Sequence, residues 1–371
     1  MQADKSRLNS EVVTIVGFRP FPLTKLEESN MSSLFSRRDF FGLSFGAAFA
    51  SAFSRRSAFA LSAGSAKEFP LTTFSSDQDS VRFYTKAVSE PVKILQISDS
   101  HLFIDDERGE KYRQYSERMA KAYNHTRHFA TGAATNPQDA LQDIADRAKN
   151  ENYDALALTG DIVSFPSAAG VDYVKDALSK VDAPFYYVCG NHDWHFEGME
   201  GTERELRDEW IEKRLKPLYP DGVNPLAYSV KIKGVKLLMI DDSIYEILPE
   251  QLDFLKKELS DNLPALLFMH IPLYAPGRRV AFGVGHPDWN AAHDGNFEIE
   301  RRIRWPEKGH NAVTYAFRDE VLNSPNLMGV FTGHIHHRSL DILNGKPSSV
   351  TNAANDGSTL KIEVLPYPEK E

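Results

Sequence analysis

Five short polar clusters in this chain carry side chains that could hold a metal ion. They are Asp99-Ser100-His101, Gly160-Asp161, Gly190-Asn191-His192-Asp193, Met269-His270 and Thr332-Gly333-His334-Ile335-His336. Together they offer carboxylate oxygen, amide oxygen and imidazole nitrogen but no thiolate, which suits hard to borderline divalent ions. Mn, Fe and Zn all fit such a donor set. His334 and His336 stand two residues apart and on an extended segment would share one face. Asn191 supplies oxygen without charge. The alternative is that these are polar residues satisfied at strand ends. It would require five histidines and four Asp or Asn residues to find other partners.

Strands must bring the clusters together. Each cluster follows an apolar run: Lys93 to Ser98, Ala155 to Thr159, Phe185 to Cys189, Ala265 to Phe268 and Met328 to Phe331. Runs of this length and composition read as buried strands, and the ends of such strands are where open α/β sheets bind ligands. Helices fill the intervals. Asn136-Pro137 opens one whose buried stripe is Ala140, Leu141, Ile144, Ala145 and Ala148. Pro166 to Lys180 and Pro249 to Leu259 read as two more, and Thr202 with Glu205 forms a capping box before Leu206, Trp210 and Leu215. Leu226 to Ile232 and Val235 to Ile240, joined by Lys233-Gly234, form a hairpin. Ile335 to Ser349 and Thr359 to Leu365 supply closing antiparallel strands. The expected fold is α/β.

Two long inserts interrupt this frame, at about 102–136 and 274–311. In the first, Tyr112, Tyr115, Met119 and Tyr123 recur at helical spacing between Arg113, Arg118 and Lys121. This is an amphipathic helix packed on the domain, or a cap that overhangs the site and offers Arg113 or Arg118 to a substrate. The second insert is rich in Gly, Pro, Trp, Arg and His. A loop this long is more often functional or mobile than idle, so it is expected either to cover the metals, with Arg278 and Arg279 as substrate-binding anion contacts, or to be a solvated loop whose arginines meet surface carboxylates. His286, His293 and His310 read as polar surface.

With 371 residues, 42% of them hydrophobic and 26% charged, the chain can bury the core of one large α/β domain or two smaller ones. Cys189 is the only cysteine, which excludes an intramolecular disulfide. Residues 1–60 read as a leader. Ser36-Arg37-Arg38-Asp39-Phe40-Phe41 opens a Gly/Ala/Phe-rich run to Phe53, and Ala58-Phe59-Ala60 follows as a small-x-small site. This is similar to a twin-arginine export signal cleaved after Ala60, with Met31 as an alternative start. The run is too short to span a bilayer comfortably, so no stable membrane anchor is expected after cleavage. The expected location is periplasmic or secreted, reached through the twin-arginine export machinery. Removing the leader's net +3 takes the formal charge from −9 to −12, which argues against a nucleic-acid partner. Residues 61–90 read as a linker leading to an edge strand near Val81 to Tyr84.

The clusters D-x-H, G-D, G-N-H-D, H and G-H-x-H, in that order from Asp99 to His336, resemble the signature of the calcineurin-like metallophosphoesterases. That resemblance assigns residues 91–371 to such a domain. It implies a four-layer sandwich of two packed mixed β-sheets flanked by helices, and two divalent metal ions as cofactors. It gives Asp99, His101 and His336 to one ion, Asn191, His270 and His334 to the other, and Asp161 to both. His192 becomes the general acid, with Asp193 able to orient it. The implied chemistry is hydrolysis of a small phosphoester by a hydroxide shared between the ions, which also neutralise the phosphoryl oxygens. A phosphodiesterase is expected first, a phosphomonoesterase on the same centre second, and a metal-binding protein without turnover third. The purple acid phosphatase pattern expects a Tyr shortly after the Gly-Asp pair. Here Ile162-Val163-Ser164 follows, so that branch is not expected.

Overall fold

The computed structural model describes residues 69–119, 123, 125–278, 283–285 and 310–368. The chain enters as a hairpin, β1 (Thr72–Ser76) and β2 (Ser80–Thr85), and then runs through β3 (Val92–Ile97). A 3-10 turn at 107–112 leads into the short helix α1 (Arg113–Met119), and β4 (Thr126–Arg127) pairs with β5 (Ala134–Thr135). Then come α2 (Pro137–Ala148), β6 (Ala155–Thr159), α3 (Ala168–Leu178) and β7 (Phe185–Val188). The second half holds α4 (Glu203–Trp210), β8 (Ala227–Ile232), β9 (Val235–Ile240), α5 (Pro249–Leu259) and β10 (Ala265–Phe268). It closes with α6 (Ala312–Asn323), β11 (Leu327–Thr332), β12 (Ser339–Leu343), β13 (Lys346–Val350) and β14 (Leu360–Pro366).

Two six-stranded mixed sheets result, ordered β1-β2-β14-β3-β6-β7 and β12-β13-β11-β10-β9-β8. Period-two alternation decides which faces meet. On β9 and β10, Leu237, Met239, Leu266 and Phe268 enter one core, while Leu238, Ile240, Ala265 and Leu267 enter the other with Leu255 of α5 and Phe317 of α6. Between the sheets Phe331 stacks on Phe268 at 5.5 Å and meets Phe83 edge-on at 6.2 Å. Truncating such a ring to alanine costs about 3–5 kcal/mol. The other face of the first sheet is covered by α2 and α3, so the expected sandwich of mixed sheets flanked by helices is the observed fold.

Local chemistry sets the helix starts. The Asn136 side chain accepts the Asp139 N–H at 3.0 Å ahead of Pro137, and Thr202 and Glu205 form the expected reciprocal cap. Three expectations need correction. Val81 to Tyr84 does form a strand, but β2 lies inside the sheet between β1 and β14, and the edge is β1, which the linker reading missed. In the stretch read at helical spacing, Glu107–Tyr112 is a tighter 3-10 turn capped by the Asp106 side chain, and the α-helix begins only at Arg113. The closing strands divide between the sheets. β12 and β13 form an antiparallel hairpin on the second sheet, whereas β14 inserts into the first, parallel to β2 and antiparallel to β3.

Candidate metal centre

Every strand that precedes a cluster ends at the same place. Asp99 follows β3, Asp161 follows β6 and Asn191 follows β7, all in the first sheet, while His270 follows β10 and His334 follows β11 in the second. The site therefore lies where the carboxyl ends of two sheets converge. Buried Gln96 helps to hold that junction, donating to Thr159 Oγ1 of β6 at 2.9 Å and to the Thr332 carbonyl of β11 at 3.0 Å.

The loops are then stitched to one another. Asp99 N–H donates to the Gly160 carbonyl at 3.0 Å, His101 N–H to the Asp161 carbonyl at 2.9 Å and Gly333 N–H to the His270 carbonyl at 3.0 Å. Asp99 also accepts the His334 N–H, at 2.9 Å to Oδ2, and Asp161 Oδ1 accepts the His192 N–H at 2.7 Å. Asp99, His101, Asp161, His334 and His336 all adopt left-handed backbone, with φ of 57°, 50°, 51°, 72° and 54°. L residues with side chains rarely adopt this conformation, and such strain concentrates at functional sites.

Two groups of donors result, and Asp161 belongs to both. Asp99, His101, Asp161 and His336 offer atoms that all lie within 4.8 Å of one another, as do Asp161, His270 and His334. In the first, His336 Nε2 is 2.9 Å from His101 Nε2 and 3.3 Å from Asp99 Oδ1. In the second, His270 Nε2 is 3.2 Å from Asp161 Oδ2, 3.2 Å from His334 Nδ1 and 3.1 Å from Asn191 Oδ1. Donors bound to one ion at about 2.0–2.2 Å must stand roughly 3 Å apart, so these spacings fit divalent cations. His192 Nε2 lies 3.9 Å from Asp161 Oδ2, which puts it beside both groups.

The electrostatics favour positive charge here. Burial alone would raise Asp161, but the imidazoles of His270, His192 and His101 outweigh it and hold the carboxyl well below its ordinary value. Burial opposes charge on His270, yet Asp161, Asp99 and the Thr159 carbonyl push that ring up to about 10. The Thr159 carbonyl, 2.8 Å from His270 Nδ1, can only accept, so Nδ1 carries hydrogen and Nε2 is the atom turned to the centre. His101 is pushed well down, by burial first and then by the neighbouring His192 and His336.

Some residues have other duties than the sequence suggested. Asp193 was expected to orient His192. Its carboxylate instead accepts three backbone N–H groups, from Asp161 at 2.9 Å, Gly190 at 2.7 Å and Val163 at 2.8 Å, and so fixes the loops after β6 and β7. Arg278 was expected to meet substrate. Its buried guanidinium donates to Asp341 at 3.0 Å and to the Leu273 carbonyl at 2.9 Å, tying the second insert to β12. Arg279, His286 and His293 lie outside the described residues. His310 is buried, with Nε2 3.1 Å from the Gly283 carbonyl, rather than surface. Arg113 pairs with Glu110, and Arg118 reaches the Glu197 carbonyl.

Two contributors went unread in the sequence. Asp242, just past β9, accepts the N–H groups of His270 and Ile271, each at 3.1 Å; Asp241-Asp242 at a strand end was the available signal. Tyr123 reaches the centre and stacks on His101 at 3.9 Å, which helical spacing alone did not foretell.

Comparison with known proteins agrees with this geometry. Residues 92–338 match the calcineurin-like phosphoesterase family. A probable glycerophosphodiester phosphodiesterase from Arcobacter nitrofigilis is 27% identical over 143 residues, covering 36% of this chain and 45% of that protein. The 3',5'-cyclic adenosine monophosphate phosphodiesterase of Escherichia coli K12 is 23% identical over 192 residues, covering 50% of this chain and 57% of that protein. The chain thus spans about half the length of the curated relatives it matches. A dimetal phosphatase structure from Danio rerio aligns with a TM-score of 0.46 at 12% identity, over 74% of this chain and 92% of that one. The family match runs from β3 past His336 and takes in every loop of the donor cluster, and on that ground the chain belongs to the calcineurin-like phosphoesterase family.

Proposed function

We propose that this protein is a metal-dependent phosphodiesterase with two divalent ions, Asp161 serving both. The observation that carries this reading is the position of Asp161 Oδ2, 3.2 Å from His270 Nε2 in one donor group and 3.9 Å from His101 Nε2 in the other. Such ions, when bound, acidify water and neutralise phosphoryl oxygens. Asp99, His101, Asp161 and His336 would hold one, and Asp161, Asn191, His270 and His334 the other. The neutral Asn191 and the imidazoles spare an incoming phosphate excess negative charge. His192, beside Asp161, would donate a proton to the leaving oxygen, a role worth about 10²–10⁴ in rate. The names of the Arcobacter and Escherichia relatives both specify diesters, which favours a diester over a monoester substrate.

The test compares two diesters on metal-loaded protein. With bis-p-nitrophenyl phosphate the leaving group is weakly basic and needs little help, so His192→Ala loses less rate than it does with an alkyl phosphodiester. Equal losses on both would remove the general-acid role, and faster turnover of p-nitrophenyl phosphate than of either diester would favour the phosphomonoesterase. We also propose export through the twin-arginine signal. Terminal mass spectrometry of the mature protein tests it, and a start upstream of Arg37 would refute it.

A further inference from the structure

A histidine that binds metal through one ring nitrogen almost always has the other fixed by a hydrogen bond, and that bond sets the ring plane. His270 obeys this rule, with Nδ1 against the Thr159 carbonyl at 2.8 Å. His101 does not. Its Nδ1 is buried and finds no hydrogen-bond partner among the described residues. What meets the ring instead is an aromatic face: Tyr123 stacks on His101 with centroids 3.9 Å apart and planes 18° apart. The same tyrosine meets His336 edge-on at 5.1 Å and His192 at 5.8 Å.

Residues Tyr112 to Arg118 are anchored. Tyr112 packs on Phe196 at 5.4 Å and on Trp210 at 4.8 Å, and Tyr115 lies 6.2 Å from Phe196. Arg118 donates to the Glu197 carbonyl at 3.4 Å. Tyr112, Tyr115 and Arg118 thus dock on Phe196 and Glu197, just past the Gly190-Asn191-His192-Asp193 cluster, and on Trp210. An aromatic pair adds about 0.5–1.5 kcal/mol beyond burial, enough to bias the plane of a ring whose Nδ1 no hydrogen bond holds.

We propose that Tyr123 is a positioning residue for His101. By stacking on the imidazole it keeps Nε2 turned toward Asp99, Asp161 and His336, and so sets the affinity of that ion group while leaving the group of His270, His334 and Asn191 untouched. The proposal rests on reading the cluster as a two-ion centre.

Mn²⁺ titrations followed by the electron paramagnetic resonance of free Mn²⁺ test it without any activity measurement. His336→Ala and His334→Ala mark which binding step belongs to which group. Tyr123→Leu, which keeps apolar bulk but removes the ring, should weaken only the step lost in His336→Ala, by about 10-fold or more, and Tyr123→Phe should stay within about twofold of wild type. Unchanged affinity in Tyr123→Leu overturns the proposal, as does equal weakening of both steps. A Tyr123→Phe variant as weak as Tyr123→Leu would show that the hydroxyl, not the stack, matters. If wild-type protein binds fewer than two ions, the two-ion reading itself fails, and this inference with it.

Discussion

His101 Nε2 and His336 Nε2 lie 2.9 Å apart, although 235 positions separate the two residues in the chain. Two nitrogens bound at about 2.0–2.1 Å to a single ion, and roughly at right angles, would be spaced this way. Asp99 Oδ1, 3.3 Å from His336 Nε2, extends the same arrangement. Geometry of this kind cannot come from either loop alone, because His101 hangs from the first sheet and His336 from the second.

His336→Ala should therefore lower metal content from two ions per chain to one, as read by elemental analysis of dialysed protein. Because it removes a ligand outright, the loss of affinity for that ion should exceed the about 10–100-fold typical of losing an outer partner. Two ions retained at wild-type affinity would contradict the assignment of His336.

Asp193 is predicted to govern stability more than proton transfer. Removing the carboxylate leaves the buried N–H groups of Asp161, Gly190 and Val163 unpaired, at about 1–3 kcal/mol each. Asp193→Ala should therefore fold poorly. Asp193→Asn keeps one acceptor oxygen and should lose about 1–3 kcal/mol in chemical denaturation. An Asp193→Asn protein of full stability but with its pH–rate profile shifted would instead restore a link to His192.

The strand frame was legible because β3, β6, β10 and β11 are apolar runs too short for helices and closed by a polar cluster. The candidate donors were legible as the polar residues that close those runs, while their division into two groups around Asp161 came from the resemblance to a known family and not from spacing. What local pattern cannot supply is the partner of a side chain far away in sequence. Asp193 has the residue type of an imidazole orienter and Arg278 that of an anion clamp; only the folded loops reveal three backbone N–H groups around the first and Asp341 beside the second. β14 shows the same limit at the level of topology, since nothing in Leu360 to Pro366 says that it inserts between β2 and β3.

Gly190 and Gly333 are predicted to be intolerant of even a methyl group. A Cβ on Gly190 would collide with the Asp161 backbone and carboxylate, and one on Gly333 with Ser98 Oγ and the Asp99 carboxylate. Gly190 thus permits close approach of the loops after β7 and β6, and Gly333 of those after β11 and β3. Gly333→Ala should keep native secondary structure by circular dichroism while weakening Mn²⁺ binding by at least about 10-fold, because Asp99 must shift. Unaltered binding would mean that the loops have slack the structure does not show.

Five of the proposed ligands stand in left-handed backbone, which costs an L residue about 1–2 kcal/mol each relative to the right-handed form. The surrounding bonds hold them there: Asp99 takes the His334 N–H, and the Gly160 and Asp161 carbonyls take the N–H groups of Asp99 and His101. A cation bound by the native arrangement, and not by the unfolded chain, adds about 2.7 kcal/mol at a hundredfold excess over its dissociation constant. Two such ions should outweigh much of that strain. Chelated protein is therefore expected to melt several degrees below protein saturated with Mn²⁺, and hydrogen exchange should quicken first at the loops after β3, β6 and β11. A melting temperature indifferent to chelator and to Mn²⁺ would show that the left-handed turns hold their shape with no help from ions, and would remove the energetic reason for placing cations between them.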